Sequence, residues 1–511
     1  MVLKDLTPPV NHPRMPEKYK GAGSSIPLSG KDSSRRIAAL VNRVEGAEFT
    51  VAAMRGTKWE QTMAAGRYAA AVLALHGAVQ YTQVPQAARG FYGADRTKIE
   101  NLKQHLGSMT RVAVIRRMVV LRDLMVAHQE ALENNKFEKM EKAFDRYIRM
   151  ERRECERLAR ILPDIDEPID VLLDRHVPGL RYRHLAAIQR AITPVCMDAQ
   201  YQQSHVEPDL RFILSHERQK KLGNLMMDRM GLDRRQVQVV WGSGRPMIRG
   251  HGADVKLVVR WRGVDFTWMV MDLVHEAAGH GVYRQSEPRA AEWRGTCAGM
   301  VPDAMADEVP ALMIEHFIAR SRGFAGFLHK AMTDADVNPN NLTADDIFRR
   351  MQVNARGTSR VEADLKTYPL HTMQRIRLVR ELISGCKEAA DFPRLWKWLD
   401  ADFCLPYPRS DIDGIMGDVQ MFTGYMGYFG AYLPALMAAA NAFEKMGRDV
   451  PDWERRLGEG DFEPVRKWMK AHIHDRGGTF TPDTDPAAFV RHMSAKYSPR
   501  PRAGFMLPPA P

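Results

Sequence analysis

Leu273-Val-His275-Glu276-Ala277-Ala278-Gly279-His280-Gly-Val-Tyr283 reads as a helix that carries two imidazoles and a carboxylate. Zinc peptidases commonly hold two histidines four residues apart, about 40° around a helix axis, so that both rings reach one ion while the intervening glutamate serves as general base toward the attacking water. The spacing here is five, which sets His275 and His280 about 140° apart on a regular helix. Two geometries are open. A π-type bulge within 277–279, eased by Gly279, absorbs the additional residue and leaves both histidines as ligands with Glu276 as the base. A regular helix instead makes Glu276 and His280 the ligands and puts Ala277 where the base belongs, a site that binds metal and lacks its base. We favour the bulge, because the helix has few other strong constraints.

Upstream of this segment, 237–241 and 255–261 are short runs of β-branched and aromatic residues on either side of a turn-rich stretch. They read as paired strands, extended by 264–268. Most of the remaining chain has helical patterning. Helices are expected between 33 and 162, interrupted at Pro85 and at 90–93, and again up to Gly231 after a turn-rich joint at 163–178. Further helices are expected at 271–283, 307–322, 343–352, 359–383, 392–402 and 424–446. The fold class is therefore mainly α with a small β element. Residues 1–31 read as an extended arm, 32–496 as one helical domain, and 497–511 as a proline-rich tail without helix.

The 511 residues carry 45% hydrophobic and 27% charged side chains, which excludes a disordered or fibrous chain. The N-terminus lacks an apolar run of signal-peptide length, and the longest apolar stretch, 433–443, is too short to span a bilayer. The net charge of +12 is dispersed: Arg152, Arg153, Arg157 and Arg160 interleave with Glu151, Glu154 and Glu156. That arrangement suits a solvated helix face, so neither nucleic acid nor membrane is expected as a partner. Five widely separated cysteines with no C-x-x-C pair fit reduced thiols in the cytoplasm.

The stretch 137–445 resembles the carboxypeptidase Taq family of zinc metallocarboxypeptidases. Asp170-Val-Leu-Leu-Asp174-Arg-His-Val-Pro178-Gly179 is similar to that family's Y-D-A-L-L-D-x-Y-E-P-G. Asp307-Glu308-Val309-Pro310, continuing to Glu315 and Arg320-Ser321, resembles H-E-S-Q-S-R-L-W-E-N followed by G-R-S. Ser359-Arg360-Val-Glu-Ala363-Asp364-Leu-Lys-Thr367-Tyr368-Pro-Leu370-His371 looks like I-R-x-E-A-D-E-x-T-Y-N-L-H, the longest match, and Gly424-Tyr-Met-Gly427-Tyr428-Phe429-Gly-Ala-Tyr432 looks like G-x-F-G-Y-F-P-T-Y. The resemblance implies a helical saddle split by a deep cleft, a homodimer, and removal of single residues from peptide C-termini. It also implies one divalent metal, zinc first and iron or manganese as alternatives, held by His275, His280 and Glu308.

Several family blocks are altered at positions that bear on chemistry. H-P-F is Arg245-Pro246-Met247, D-x-R-x-T is Asp254-Val-Lys256-Leu-Val258, and G-x-x-Q-D-x-H-W is Gly414-Ile-Met-Gly417-Asp418-Val-Gln420-Met421. Glu276 is the expected catalytic base. Tyr428 is a candidate oxyanion donor or a packing residue of an aromatic wall. Arg360 is expected to hold a substrate carboxylate through its planar fork, or else to pair with Glu362 or Asp364, and Arg245 to add positive charge beside the cleft. Three function classes follow, in order: a metallocarboxypeptidase acting on peptides; a different metal enzyme acting on a small carboxylate; and a catalytically silent scaffold.

Overall fold

The alternating run Val255-Lys-Leu-Val-Val-Arg260 forms the central strand of a three-stranded sheet in the computed structural model, which describes residues 30–53, 58–81, 90–197, 212–242, 246–263, 265–286, 291–294, 296–338, 341–352 and 357–497. β1 (Val237–Gly242) pairs with β3 (Val255–Arg260) in parallel, and β2 (Met247–Arg249) pairs with β3 antiparallel. The two expected strands are thus present and paired. β2 lies in the stretch read as turn, too short to stand out by pattern. The described part of the expected extension, 265–268, is not a strand: Asp265 accepts the Thr267 N–H at 2.9 Å and a helix starts at Thr267.

Helices supply nearly everything else. Before the sheet run α1 (Gly30–Ala53), α2 (Lys58–Tyr81), α3 (Gly90–Leu102), α4 (Arg111–Asn134), α5 (Glu141–Leu158), α6 (Pro168–His176), α7 (Tyr182–Cys196) and α8 (His216–Met230). After it run α9 (Thr267–Leu273), α10 (Val282–Gln285), α11 (Ala304–Leu312), α12 (Arg322–Asp334), α13 (Ala344–Met351), α14 (Tyr368–Ile383), α15 (Phe392–Asp402), α16 (Phe429–Asp449), α17 (Trp453–Gly458), α18 (Glu463–His472) and α19 (Ala487–Tyr497).

Three expectations needed correction. The joint at 163–178 contains α6, where Pro168 sits in the first turn and Asp170 accepts the Asp166 and Glu167 N–H groups, a strong start for a short helix. Gly90 opens α3 rather than breaking the chain. The helix expected from 359 starts only at Tyr368, because the Asp364 carboxylate captures the N–H groups of Lys366 and Thr367 and ends the preceding 3₁₀ turn, Arg360–Glu362. Tyr497, expected to start the non-helical tail, ends α19, and Gly30 and Lys31, expected to end the arm, begin α1; the remainder of the tail (498–511) and of the arm (1–29) lies outside the described residues.

Buried apolar side chains from Val72 to Met493 form one continuous core, with a smaller cluster around Ile37, Leu75, Val79 and Ile99 under α1 and α2. α14 and the first half of α16 are buried on nearly every side, as helices at the centre of a large domain must be. α11 packs on α16 and on the segment 274–281, which also rests on β2 and β3. That packing positions the site. Among the described residues no helix is long and apolar enough to cross a membrane, and the apolar stretch 433–443 lies within α16, mostly buried.

Candidate metal centre

Between α9 and α10 the chain is π-helical from Val274 to Gly281, with the Val282 N–H bonded to the Ala277 carbonyl. A repeat of five residues per hydrogen bond stacks residues i and i+5, so the spacing that disqualifies a regular helix is the one this segment needs. The regular-helix alternative, with Glu276 as a ligand and Ala277 in the base position, is therefore not the geometry adopted. The bulge is also longer than the three residues expected. Its glycines act by allowing close approach: a Cβ on Gly279 would lie 2.3 Å from Ala311 Cα of α11, and one on Gly281 would lie 2.8 Å from Leu232 Cδ1.

The consequence is a converging triangle. His275 Nε2 and His280 Nε2 are 3.3 Å apart, and Glu308 Oε2, from α11, lies 3.7 Å from the first and 3.6 Å from the second. Bonds of about 2.0 to 2.2 Å to a tetrahedral ion would separate ligand atoms by roughly 3.3 to 3.6 Å. Glu308 is buried, and its Oε2 is without a hydrogen-bond partner among the described residues, whereas Oε1 accepts the Tyr428 hydroxyl at 2.8 Å. A buried carboxylate oxygen left bare and aimed at two imidazoles is costly without a cation, so these residues fit a divalent metal.

Each imidazole has a carboxylate behind it. Glu315 Oε2 lies 2.7 Å from His275 Nδ1, and Asp307 Oδ1 lies 3.2 Å from His280 Nδ1. The Glu315 hydrogen bond fixes the proton on His275 Nδ1 and turns Nε2 toward the centre, whereas Asp307 Oδ1 and His280 Nδ1 meet as an ion pair without hydrogen-bond geometry. Burial disfavours the charged imidazolium of His275, but the Glu315 hydrogen bond and the charges of Glu315, Glu308 and Glu276 outweigh it and push its pKa up to about 10. Glu315 itself, despite burial, is held down at about 2 by its histidine and arginine neighbours. Asp307 lies well below the usual carboxylate range: burial opposes this, and Arg284 and His280 prevail.

Glu276 follows His275 directly in the π segment and is half-buried. Tyr428 does more than pack. Its hydroxyl holds Glu308 while its ring meets Tyr425, Tyr432 and His176 edge-on. Arg360 is buried with its guanidinium 4.2 Å from the Tyr432 ring centroid, donates to the Tyr368 hydroxyl at 3.3 Å, and lies 3.5 Å from Asp418 Oδ1. Asp418 is a carboxylate partner of Arg360 here, and its Oδ2 accepts from Arg375 Nε at 2.6 Å; the side chain of Glu362 lies outside the described residues. Arg360 Nε has no hydrogen-bond partner among the described residues. Arg245 lies outside the described residues.

Sequence reasoning passed over Glu315, Arg284, Glu45, Glu48 and Arg249 as functional candidates. The first two had a signal: Glu315 is seven residues after Glu308, and Arg284 four after His280, each on one helical face. Glu45 and Glu48 come from α1 and contact Arg284, Arg249 and Tyr425, contacts more than 200 residues apart in sequence.

A family model for carboxypeptidase Taq (M32) metallopeptidase matches residues 92–496. Carboxypeptidase 1 of Bacillus subtilis is 31% identical over 324 residues, covering 61% of this chain and 63% of the relative, so the match spans less than two thirds of that protein's own length. Thermostable carboxypeptidase 1 of Pyrococcus furiosus is 25% identical over 392 residues, covering 73% of this chain and 76% of the relative. Among solved structures, the Pyrococcus furiosus carboxypeptidase superposes with a TM-score of 0.78 at 20% identity, over 92% of this chain and 98% of that one. Trypanosoma cruzi metallocarboxypeptidase 1 superposes with a TM-score of 0.77 at 19% identity, over 92% and 99%.

Proposed function

The chain belongs to the carboxypeptidase Taq (M32) metallopeptidase family, and from that premise we propose that it is a metal-dependent carboxypeptidase that releases residues one at a time from peptide C-termini. The observation that carries the proposal is the bare Glu308 Oε2 facing the ε nitrogens of His275 and His280. Family membership implies a divalent metal. Two imidazoles and one carboxylate suit zinc, ahead of iron or manganese.

His275, His280 and Glu308 would hold the ion, which when bound supplies Lewis acidity toward the scissile carbonyl and acidifies a water. The remaining steps belong to side chains. Glu276 takes a proton from the attacking water, the water oxygen forms a bond to the carbonyl carbon, and the C–N bond breaks as Glu276 returns the proton to the leaving amine. Arg360 is the group proposed to grip the terminal carboxylate, a role its uncommitted Nε and the adjacent Tyr432 ring support. Tyr428 keeps Glu308 oriented.

Cys155, Cys196, Cys386 and Cys404, which form no disulfide among the described residues, support a cytoplasmic setting. An exposed apolar stripe on α4, with Val112 66%, Ile115 43% and Val119 40% accessible, supports a homodimer. Elemental analysis of the purified protein tests the metal reading. Stoichiometric zinc, lost in His280→Ala, is expected; iron or manganese in its place points to the small-carboxylate enzyme, and no retained or added metal removes the proposal.

A further inference from the structure

The carboxylate behind His280 is itself held from the far side of the molecule. Arg284, three residues beyond the π segment in α10, reaches Asp307 Oδ2 at 2.5 Å with one terminal nitrogen and Glu45 Oε2 at 2.9 Å with the other. Glu45 sits in α1 and also accepts the Gly250 N–H at 2.8 Å, which ties it to the end of β2. The side chains of Arg284, Asp307 and His280 are at most 10% accessible, so these charges are not screened by water. α1 lies before residue 92, outside the stretch matched by the family model, yet it supplies the last member of a charged series that ends on a metal-ligand candidate.

We infer that Glu45, Arg284 and Asp307 form a positioning relay through which helix α1 sets the orientation of His280 and thereby the strength of metal binding. Asp307 has two oxygens and two demands on them: Oδ1 faces His280 Nδ1 at 3.2 Å and Oδ2 faces Arg284. With Glu45 in place the guanidinium is shared, its fork spans both carboxylates, and Asp307 stays turned toward the imidazole. Without Glu45 the full pull of Arg284 falls on Asp307, which leaves His280 Nδ1 less firmly fixed and Nε2 free to rotate from the centre. The carboxylate–histidine pairing orients a ligand in general; the additional element here is that a separate helix governs it.

The relay rests on the reading of His275, His280 and Glu308 as metal ligands, and the test separates the two. Full-length wild type, Glu45→Gln, Asp307→Asn and the double variant are stripped of metal and titrated with Zn²⁺ against a chromophoric chelator at one pH. The melting temperature of each metal-free protein is measured alongside. Asp307→Asn is expected to weaken zinc binding about 10- to 100-fold, and Glu45→Gln roughly 2- to 30-fold. The double variant should bind no more weakly than Asp307→Asn alone, since Glu45 acts only through Asp307. If Asp307→Asn does not fold, Arg284→Lys replaces it in the cycle with the same expectation, because an ammonium cannot span both carboxylates. Wild-type zinc affinity in Glu45→Gln, even with a lowered melting temperature, or losses that multiply in the double variant, would overturn the relay and leave the metal centre standing. A wild type that takes up no zinc would overturn the metal centre and the relay with it.

Discussion

Glu276→Gln removes the proposed base while keeping the size and most of the packing of the side chain. Peptide cleavage should fall by at least about 100-fold, in line with loss of a general base, with zinc content by elemental analysis unchanged because the three ligand atoms are elsewhere. Loss of zinc in this variant would instead make Glu276 a ligand. Tyr428→Phe deletes the donor on Glu308 Oε1 and leaves a buried carboxylate short of a partner. Zinc affinity, read by chelator competition, should drop about tenfold; an unchanged value would return Tyr428 to simple packing. At this scale the sequence was readable where chemistry needs a particular side chain at a particular spacing, as for His275, Glu276, His280 and Glu308. Arg360 was readable as a residue but not in its partners, because Asp418 reaches it from a loop 58 positions away.

The helix that carries the two histidines works only as a π-helix, and its packing against α11 depends on a glycine without a side chain. Gly279→Ala would force a methyl group into the Ala311 backbone, so a loss of about 1 to 3 kcal/mol or more is expected from denaturant melts. A neutral substitution would mean that the close approach is not what the segment requires. The extra residue announced a departure from the α-helix, but its extent was set by contacts with α11 and Leu232 that no local pattern records. The same limit explains β2, three residues long and paired with β3 as its one neighbouring strand in the described sheet. Where three helices must meet around charge, ion pairs take over. Glu151 of α5 is fully buried between Arg117 of α4 and Arg175 of α6; burial would raise its pKa, yet the two guanidinium groups lower it from 4.5 to about 2. A carboxyl depressed on folding stabilises above its unfolded pKa and loses that contribution as pH falls through the folded one. The shift corresponds to about 3 kcal/mol, present above pH 4.5 and lost toward pH 2. Glu151→Gln should cost about 3 to 5 kcal/mol near neutrality and flatten the acid limb of a stability-versus-pH curve; an acid limb as steep as wild type would assign it to other carboxylates.

Across the whole molecule, the architecture was legible because helical periodicity and the order of the matched blocks persist from one end of the domain to the other. What joins the blocks was not. Glu48 of α1 accepts the Tyr425 hydroxyl at 2.7 Å and faces Arg249 of β2, closing a charged interior from three distant parts of the chain. Such contacts follow from tertiary packing and leave no trace in neighbouring residues. Several family blocks are altered in sequence, so framework and activity are separate questions. The decisive measurement is therefore on substrate. Zinc-loaded protein is incubated with a mixture of peptides differing in their last residue, and the products are weighed by mass spectrometry. Stepwise loss of single C-terminal residues, abolished by a chelator and absent in Glu276→Gln, is the result this account predicts; intact peptides with a fully metal-loaded wild type would contradict it.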